Sequence, residues 1–135
     1  MSSSFKELIQ SIRVKVNQDI CQLQFPDRPS YLYDPIRYTL GAKGKRFRPI
    51  LVHLSGRVNH ADSKSCTKIA VAVELLHNFT LIHDDIMDND DKRHGQAAVH
   101  RKWDNSTAIL AGDGIYAISQ ILLNKLPGHR NEICR

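Results

Sequence analysis

Five aspartates, Asp84, Asp85, Asp88, Asp90 and Asp91, fall within eight residues at the end of the longest stretch of helically spaced apolar residues. Asp84 and Asp88 lie one turn apart. Like charges at that spacing destabilise a helix by a few tenths of a kcal/mol, and acids in a last turn oppose the macrodipole by about 0.3–1 kcal/mol each. The pair therefore needs a cation. Two carboxylates at an open helix end are hard oxygen ligands for Mg²⁺, which keeps several waters and takes one or two carboxylates together with substrate phosphates. On a helical wheel His77, Asp84 and Asp88 fall within about 40° of one another, so an imidazole joins the two acids on one face.

Upstream, Lys43, Lys45, Arg46 and Arg48 place four cations in six residues, with Gly41 before them, Gly44 among them and Pro49 after them. Glycines let the backbone bend so that such side chains converge on one polyanion. The loop is not a P-loop, because no Ser or Thr follows Lys45 and the glycines are too close. The acidic run is not an EF-hand, because the glycine and closing glutamate are missing from their offsets. A basic loop binds a polyanion directly and an acidic helix end binds one through metal; a site handling two diphosphates needs both.

These residues have to be carried by helices. Phe5, Leu8, Ile9, Ile12, Val16 and Ile20 recur at helical spacing, with Ser4 and Glu7 as a capping box. Asp34 before Pro35 predicts the start of a second helix that stops at Gly41, and Pro49 predicts the opening of a third through Leu54. Residues 63 to 87 keep a helical period without Gly or Pro. Residues 89 to 105 are polar and irregular, and a last apolar helix is expected from Ser106 to Leu126, closed by Pro127 and Gly128. No strand-like alternation is evident, so the expected class is all-α, a helical bundle with the site at one end of its long helix.

At 135 residues the chain amounts to one domain. Its uninterrupted apolar runs are far short of a membrane span, and residues 1 to 20 mix charges into the apolar positions, unlike a secretory signal. Cys21, Cys66 and Cys134 are odd in number and lack C-x-x-C spacing, which argues against a disulfide framework or a zinc site. The expected setting is cytoplasmic. The net charge of +5 is concentrated in the glycine-rich loop without aromatic platforms, a pattern suited to a small anion and not to nucleic acid.

Together, Gly44-Lys45-Arg46-Phe47-Arg48-Pro49 and the run Glu74 to Asp88 resemble the N-terminal part of the trans-isoprenyl diphosphate synthases, the polyprenyl synthetase family of farnesyl, geranylgeranyl and longer-chain enzymes. The resemblance implies an antiparallel bundle of the isoprenoid synthase type. It makes Asp84-Asp85-Ile86-Met87-Asp88 the first DDxxD motif, with Asp84, Asp85 and Asp88 catalytic and Asp84 and Asp88 holding Mg²⁺. By the same correspondence Lys45, Arg48 and His77 hold isopentenyl diphosphate, and Arg93 contacts the allylic diphosphate. His94 stands where the family often has a second arginine, and Gly112-Asp113 resembles a Gly-Asp pair of the next helix. Phe79 and Thr80 occupy positions that limit product length; a large Phe79 beside a small Thr80 implies a short product of farnesyl to geranylgeranyl length. The family forms dimers, is about twice as long or more, and carries a second aspartate-rich motif, so residues 1–135 are expected to be the N-terminal portion of one domain, inactive alone. Two alternatives stay open: a non-catalytic subunit or fragment, and an HD-type metal phosphohydrolase built on His83-Asp84 with His53 or His60 and Asp113.

Overall fold

The computed structural model describes residues 2–127, with side chains from Ser4 onward. Its order is α1 (Ser2–Cys21), α2 (Ser30–Leu40), α3 (Phe47–Val58), α4 (Ser63–Asp88), β1 (Lys92–Arg93), β2 (Gln96–Ala97), α5 (Val99–Lys102) and α6 (Asn105–Asn124). The 26-residue α4 is the axis of the bundle, packed by α6 and α3 most extensively and also by α1, α2 and α5. Gly128 and Cys134, expected to close the last helix and to complete the cysteine set, lie outside the described residues.

The apolar stripes bury as their spacing demands. Ile12, Val16 and Ile20 of α1, Ile36 and Leu40 of α2, Val71, Leu75 and Ile82 of α4 and Ile115 of α6 form one core. Capping chemistry sets the ends of α4. The Asp62 carboxylate accepts from the Ser65 N–H at 2.9 Å, which holds its pKa below the usual carboxylate range. At the other end Asn89 adopts a left-handed conformation, φ 57°. Asp90 N–H then donates to Asp85 O and Asn89 N–H to Ile86 O, the paired closure of a Schellman motif. Helix α6 begins similarly, with the Asp104 carboxylate accepting from Thr107 N–H at 2.7 Å.

Several expected boundaries move. Helix α1 already runs at Ser2, so Ser4 is an interior residue and no capping box starts there; serine is a middling helix former and does not by itself stop a helix. Helix α2 starts at Ser30 with Pro29 as its N-cap, a turn before the expected Asp34, and Pro35 is buried inside it. Asp34 is used sideways: it pairs with Arg37 at 3.0 Å while Arg37 donates to the carbonyls of Phe25 and Pro26. That clamp fixes the chain before α2 and supplies the order the proline takes away. Pro49 is the third residue of α3, still in the first turn, where its missing N–H costs nothing.

The expectation of no strand and of an irregular 89–105 segment is also corrected. Lys92 pairs with Ala97 and Arg93 with Gln96 in a short antiparallel hairpin. Its two-residue turn is His94 and Gly95, at φ 52° and 80°, the paired positive values of a type I′ turn. A four-residue α5 follows. Helix α6 is the one helix among the described residues long and apolar enough, by length and composition, to cross a membrane, with mean hydropathy 1.3; no such segment was expected. It packs on α4, α2 and α5, and leaves Ile109, Leu110, Tyr116 and Ile121 exposed.

Candidate diphosphate and metal site

The basic loop is shaped by Arg46. It caps α3 in a left-handed conformation, φ 51°, and turns its guanidinium inward, 7% exposed. There it donates to Glu74 Oε1 at 2.7 Å, Asn17 Oδ1 at 2.8 Å and Ala42 O at 2.9 Å. Glu74 is itself 5% exposed. A Cβ on Gly44 would sit 3.3 Å from the Arg46 guanidinium, so a glycine lets the loop close over the pair. Arg46 is thus not one of four equivalent cations. Its neighbours Lys45 and Arg48 remain exposed, and Arg13 of α1 pins the loop by donating to Lys45 O.

Lys45, Arg48, His77 and His94 line one cavity of about 820 Å³, to which Arg13 and Lys43 also contribute. Four of the five side chains expected to bind substrate therefore meet there. Arg48 Nη1 lies 3.0 Å from His77 Nε2. A guanidinium only donates, so Nε2 accepts and the imidazole proton is on Nδ1. Burial first, then the Arg48 charge, pushes the His77 pKa down, with Glu74 opposing; the ring is neutral at physiological pH. Sequence reasoning missed Arg13, 32 residues away from Lys45, and the inward role of Arg46. For the latter a signal existed: Glu74 is a lone acid inside the apolar run Ala70 to Leu76, and a buried carboxylate requires a partner.

Three of the five aspartates are already paired. Asp85, 3% exposed, accepts from Arg93 Nε at 2.9 Å and from Nη2. Asp90 adds a contact to Arg93 at 3.5 Å, and Asp91 pairs with Arg101 at 2.7 Å. The hydrogen bond to Asp85 is the largest influence raising the Arg93 pKa. Arg93 does not line the large cavity; with Asp85 it lines a small adjoining one, and His94 borders both. Asp84 and Asp88, the two on the His77 face, have no hydrogen bond or ion pair among the described residues. Their chemistry fits Mg²⁺. They offer oxygen donors one turn apart, and no cluster of three metal-ligating side chains exists among the described residues, so water and phosphate oxygens would complete the coordination sphere.

Phe79 stacks edge-on against His83 at 4.7 Å and tilts against Tyr116 of α6 at 5.3 Å. Thr80 is exposed and its hydroxyl donates to His77 O. His83 Nε2 lies 3.7 Å from Asp113 Oδ1, which unites two members of the HD set. His53 lines a separate cavity with Lys15, Arg57 and Cys66, and no three-ligand group forms among the described residues.

A helical bundle with one short hairpin, in which a cationic cavity and two carboxylates unpaired among the described residues share the axial helix, is the architecture of an isoprenoid synthase. Residues 29–135 match the polyprenyl synthetase family, and the chain belongs to that family. It is 50% identical over 99 residues to the geranylgeranyl diphosphate synthase of Methanosarcina mazei, covering 73% of this chain and 31% of that protein. It is 35% identical over 133 residues to the farnesyl diphosphate synthase of Haemophilus influenzae, covering 95% and 45%. Among solved structures, an FPP/GFPP synthase from Zymomonas mobilis superposes with TM-score 0.84 at 32% identity, covering 96% of this chain and 48% of that one. Geranylgeranyl pyrophosphate synthetase from Pyrococcus horikoshii gives 0.83 at 34% identity, covering 98% and 41%. The chain thus spans less than half the length of each of these relatives. Family membership displaces the HD-type alternative.

Proposed function

We propose that this chain carries the first metal motif and the isopentenyl diphosphate site of a trans-prenyltransferase, which joins isopentenyl diphosphate to an allylic diphosphate to give a short-chain product. One observation carries the proposal: of five clustered aspartates, only the two that share a face with His77 form no ion pair or hydrogen bond among the described residues, and His77 on that face lines a cavity with Lys45 and Arg48. Lys45, Arg48 and neutral His77 would hold the isopentenyl diphosphate, His77 donating through Nδ1 while Arg48 holds its Nε2. Asp84 and Asp88 would hold Mg²⁺, which neutralises charge on the departing allylic diphosphate. Asp85 takes a positioning role in this scheme: it fixes Arg93, whose remaining N–H groups and charge serve the allylic diphosphate. His94, held in its turn at positive φ, borders both cavities and supplies a ring donor where an arginine would carry a permanent charge.

Phe79 and Thr80 would bound the allylic chain, a role supported by the family resemblance and by the aromatic group that Phe79 forms with His83 and Tyr116. The exposed apolar face of α6 supports a homodimer, and the cysteine pattern supports a cytoplasmic setting. Titration calorimetry with an allylic diphosphate, with and without Mg²⁺, tests the core of the proposal. Binding should strengthen at least tenfold with Mg²⁺, and Asp84→Ala with Asp88→Ala should abolish that gain. Equal affinity in both conditions would refute the metal bridge.

A further inference from the structure

The cationic cavity holds an acid that is nowhere near neutralising it. Glu74 lines the cavity, and a carboxylate there should, by Coulomb's law, weaken the binding of any diphosphate. Its charge is instead committed to Arg46 at 2.7 Å, in a pair that Asn17 completes from α1 and the Ala42 carbonyl from the loop itself. The same pair spans three elements: Asn17 on α1, Arg46 at the start of α3 and Glu74 on α4. Arg46 lies between Lys45 and Phe47 in sequence and two residues before Arg48.

We infer that Arg46, Glu74 and Asn17 form a positioning unit for the diphosphate site: Arg46 does not contact substrate, but is drawn inward so that its left-handed backbone presents Lys45 and Arg48 to the cavity. A non-glycine residue at φ 51° is an uncommon and mildly strained conformation. The three side-chain hydrogen bonds hold it there. Released from Glu74 and Asn17, the residue would relax toward negative φ and swing Lys45 and Arg48 relative to one another and to His77. Gly44 belongs to the same arrangement, since any Cβ there would press on the guanidinium.

The inference rests on the diphosphate site proposed above, and charge gives it a test of sign. Glu74→Gln removes a negative charge from an anion-binding cavity. If Arg46 were a substrate ligand restrained by Glu74, the variant would bind inorganic pyrophosphate more tightly; if the unit positions the loop, it binds about tenfold more weakly, as expected for losing one well-aligned charged contact. Asn17→Ala, which changes no charge, should weaken binding about threefold. Both are measured by calorimetry on the 135-residue chain at a temperature where circular dichroism shows native helix content. A second readout is the His77 ring titration by NMR. Loss of Glu74's charge alone would lower its pKa, whereas displacement of Arg48 raises it, and the inference requires the rise. Unchanged or tighter pyrophosphate binding by Glu74→Gln overturns it. If that variant does not fold, Asn17→Ala decides: weaker binding supports the unit and unchanged binding overturns it. A wild-type chain that does not bind pyrophosphate overturns the diphosphate site and this inference together.

Discussion

Asp84 and Asp85 are adjacent acids with opposite structural circumstances, and replacing each by asparagine should move stability in opposite directions. Asp85 is buried and bonded twice to Arg93. Breaking one partner of a buried ion pair costs about 3–5 kcal/mol. The Arg93 side chain is 34% exposed and keeps Asp90 at 3.5 Å, so water and that second acid recover part of the loss, leaving ~2 kcal/mol. For a chain of this size each kcal/mol shifts the melting temperature by roughly 3–5 °C, so Asp85→Asn should lower Tm by about 6–10 °C. Asp84→Asn removes one of two like charges a turn apart at a helix C-terminus, a change that should stabilise by a few tenths of a kcal/mol and raise Tm by about 1 °C. Differential scanning calorimetry of the two variants in metal-free buffer is the assay. With MgCl₂ and pyrophosphate added, the order of effects changes: wild type gains Tm, and Asp84→Asn loses that gain. A common direction of shift for both variants in metal-free buffer would refute the division of the motif into a buried anchor and two open ligands.

Buried His53 has its pKa lowered, first by burial and then by Lys15 and Arg57, against an opposing effect of Asp19. The unfolded chain therefore takes up a proton near pH 6.5 that the folded chain refuses, so stability is full above that pH and declines as pH falls toward the folded value. His53→Gln should flatten this acid limb in urea titrations between pH 7 and 5; an unaltered slope would show that His53 is not responsible. Ile109→Glu, on the exposed apolar face of α6, should convert a dimer to monomer in sedimentation velocity without loss of helix content, and an unchanged sedimentation coefficient would remove that face from the interface. The chain alone, incubated with labelled isopentenyl diphosphate and an allylic primer under Mg²⁺, should form no elongated product, because it spans less than half the length of the prenyl synthases it matches; robust elongation would contradict this.

The candidate metal face of α4 was legible because a helix repeats: once residues 63–87 are read as helical, His77, Asp84 and Asp88 must align, and the helix spans all three. Which cation answers which acid was not legible: Glu74 in its apolar run signals a buried partner without naming it. Nothing in spacing distinguishes Arg46, turned inward, from Lys45 and Arg48, because a loop residue at positive φ has no periodic face. Asp85 could be separated from its neighbours only by noticing that it lies on the core side of the wheel with Ile82. Pro35 misled for a related reason. A proline after an aspartate is a good start signal, but Pro29, six residues before Pro35, had already begun α2, and tertiary ties through Arg37 outweighed the local preference. The hairpin at 92–97 escaped because two-residue strands are too short to show alternation, leaving Gly95 as its sole mark.

The Arg46–Glu74 pair also limits how this sequence can change over time. Replacing Arg46 alone strands the Glu74 carboxylate in the core, and replacing Glu74 alone strands a guanidinium; either intermediate is less fit than both end states. Substitution at Gly44 crowds the pair, and Asn17 can be altered only while the other two remain. In an alignment of this lineage Arg46, Glu74 and Gly44 should therefore be invariant together or exchanged together, with Asn17 varying only where those three are kept.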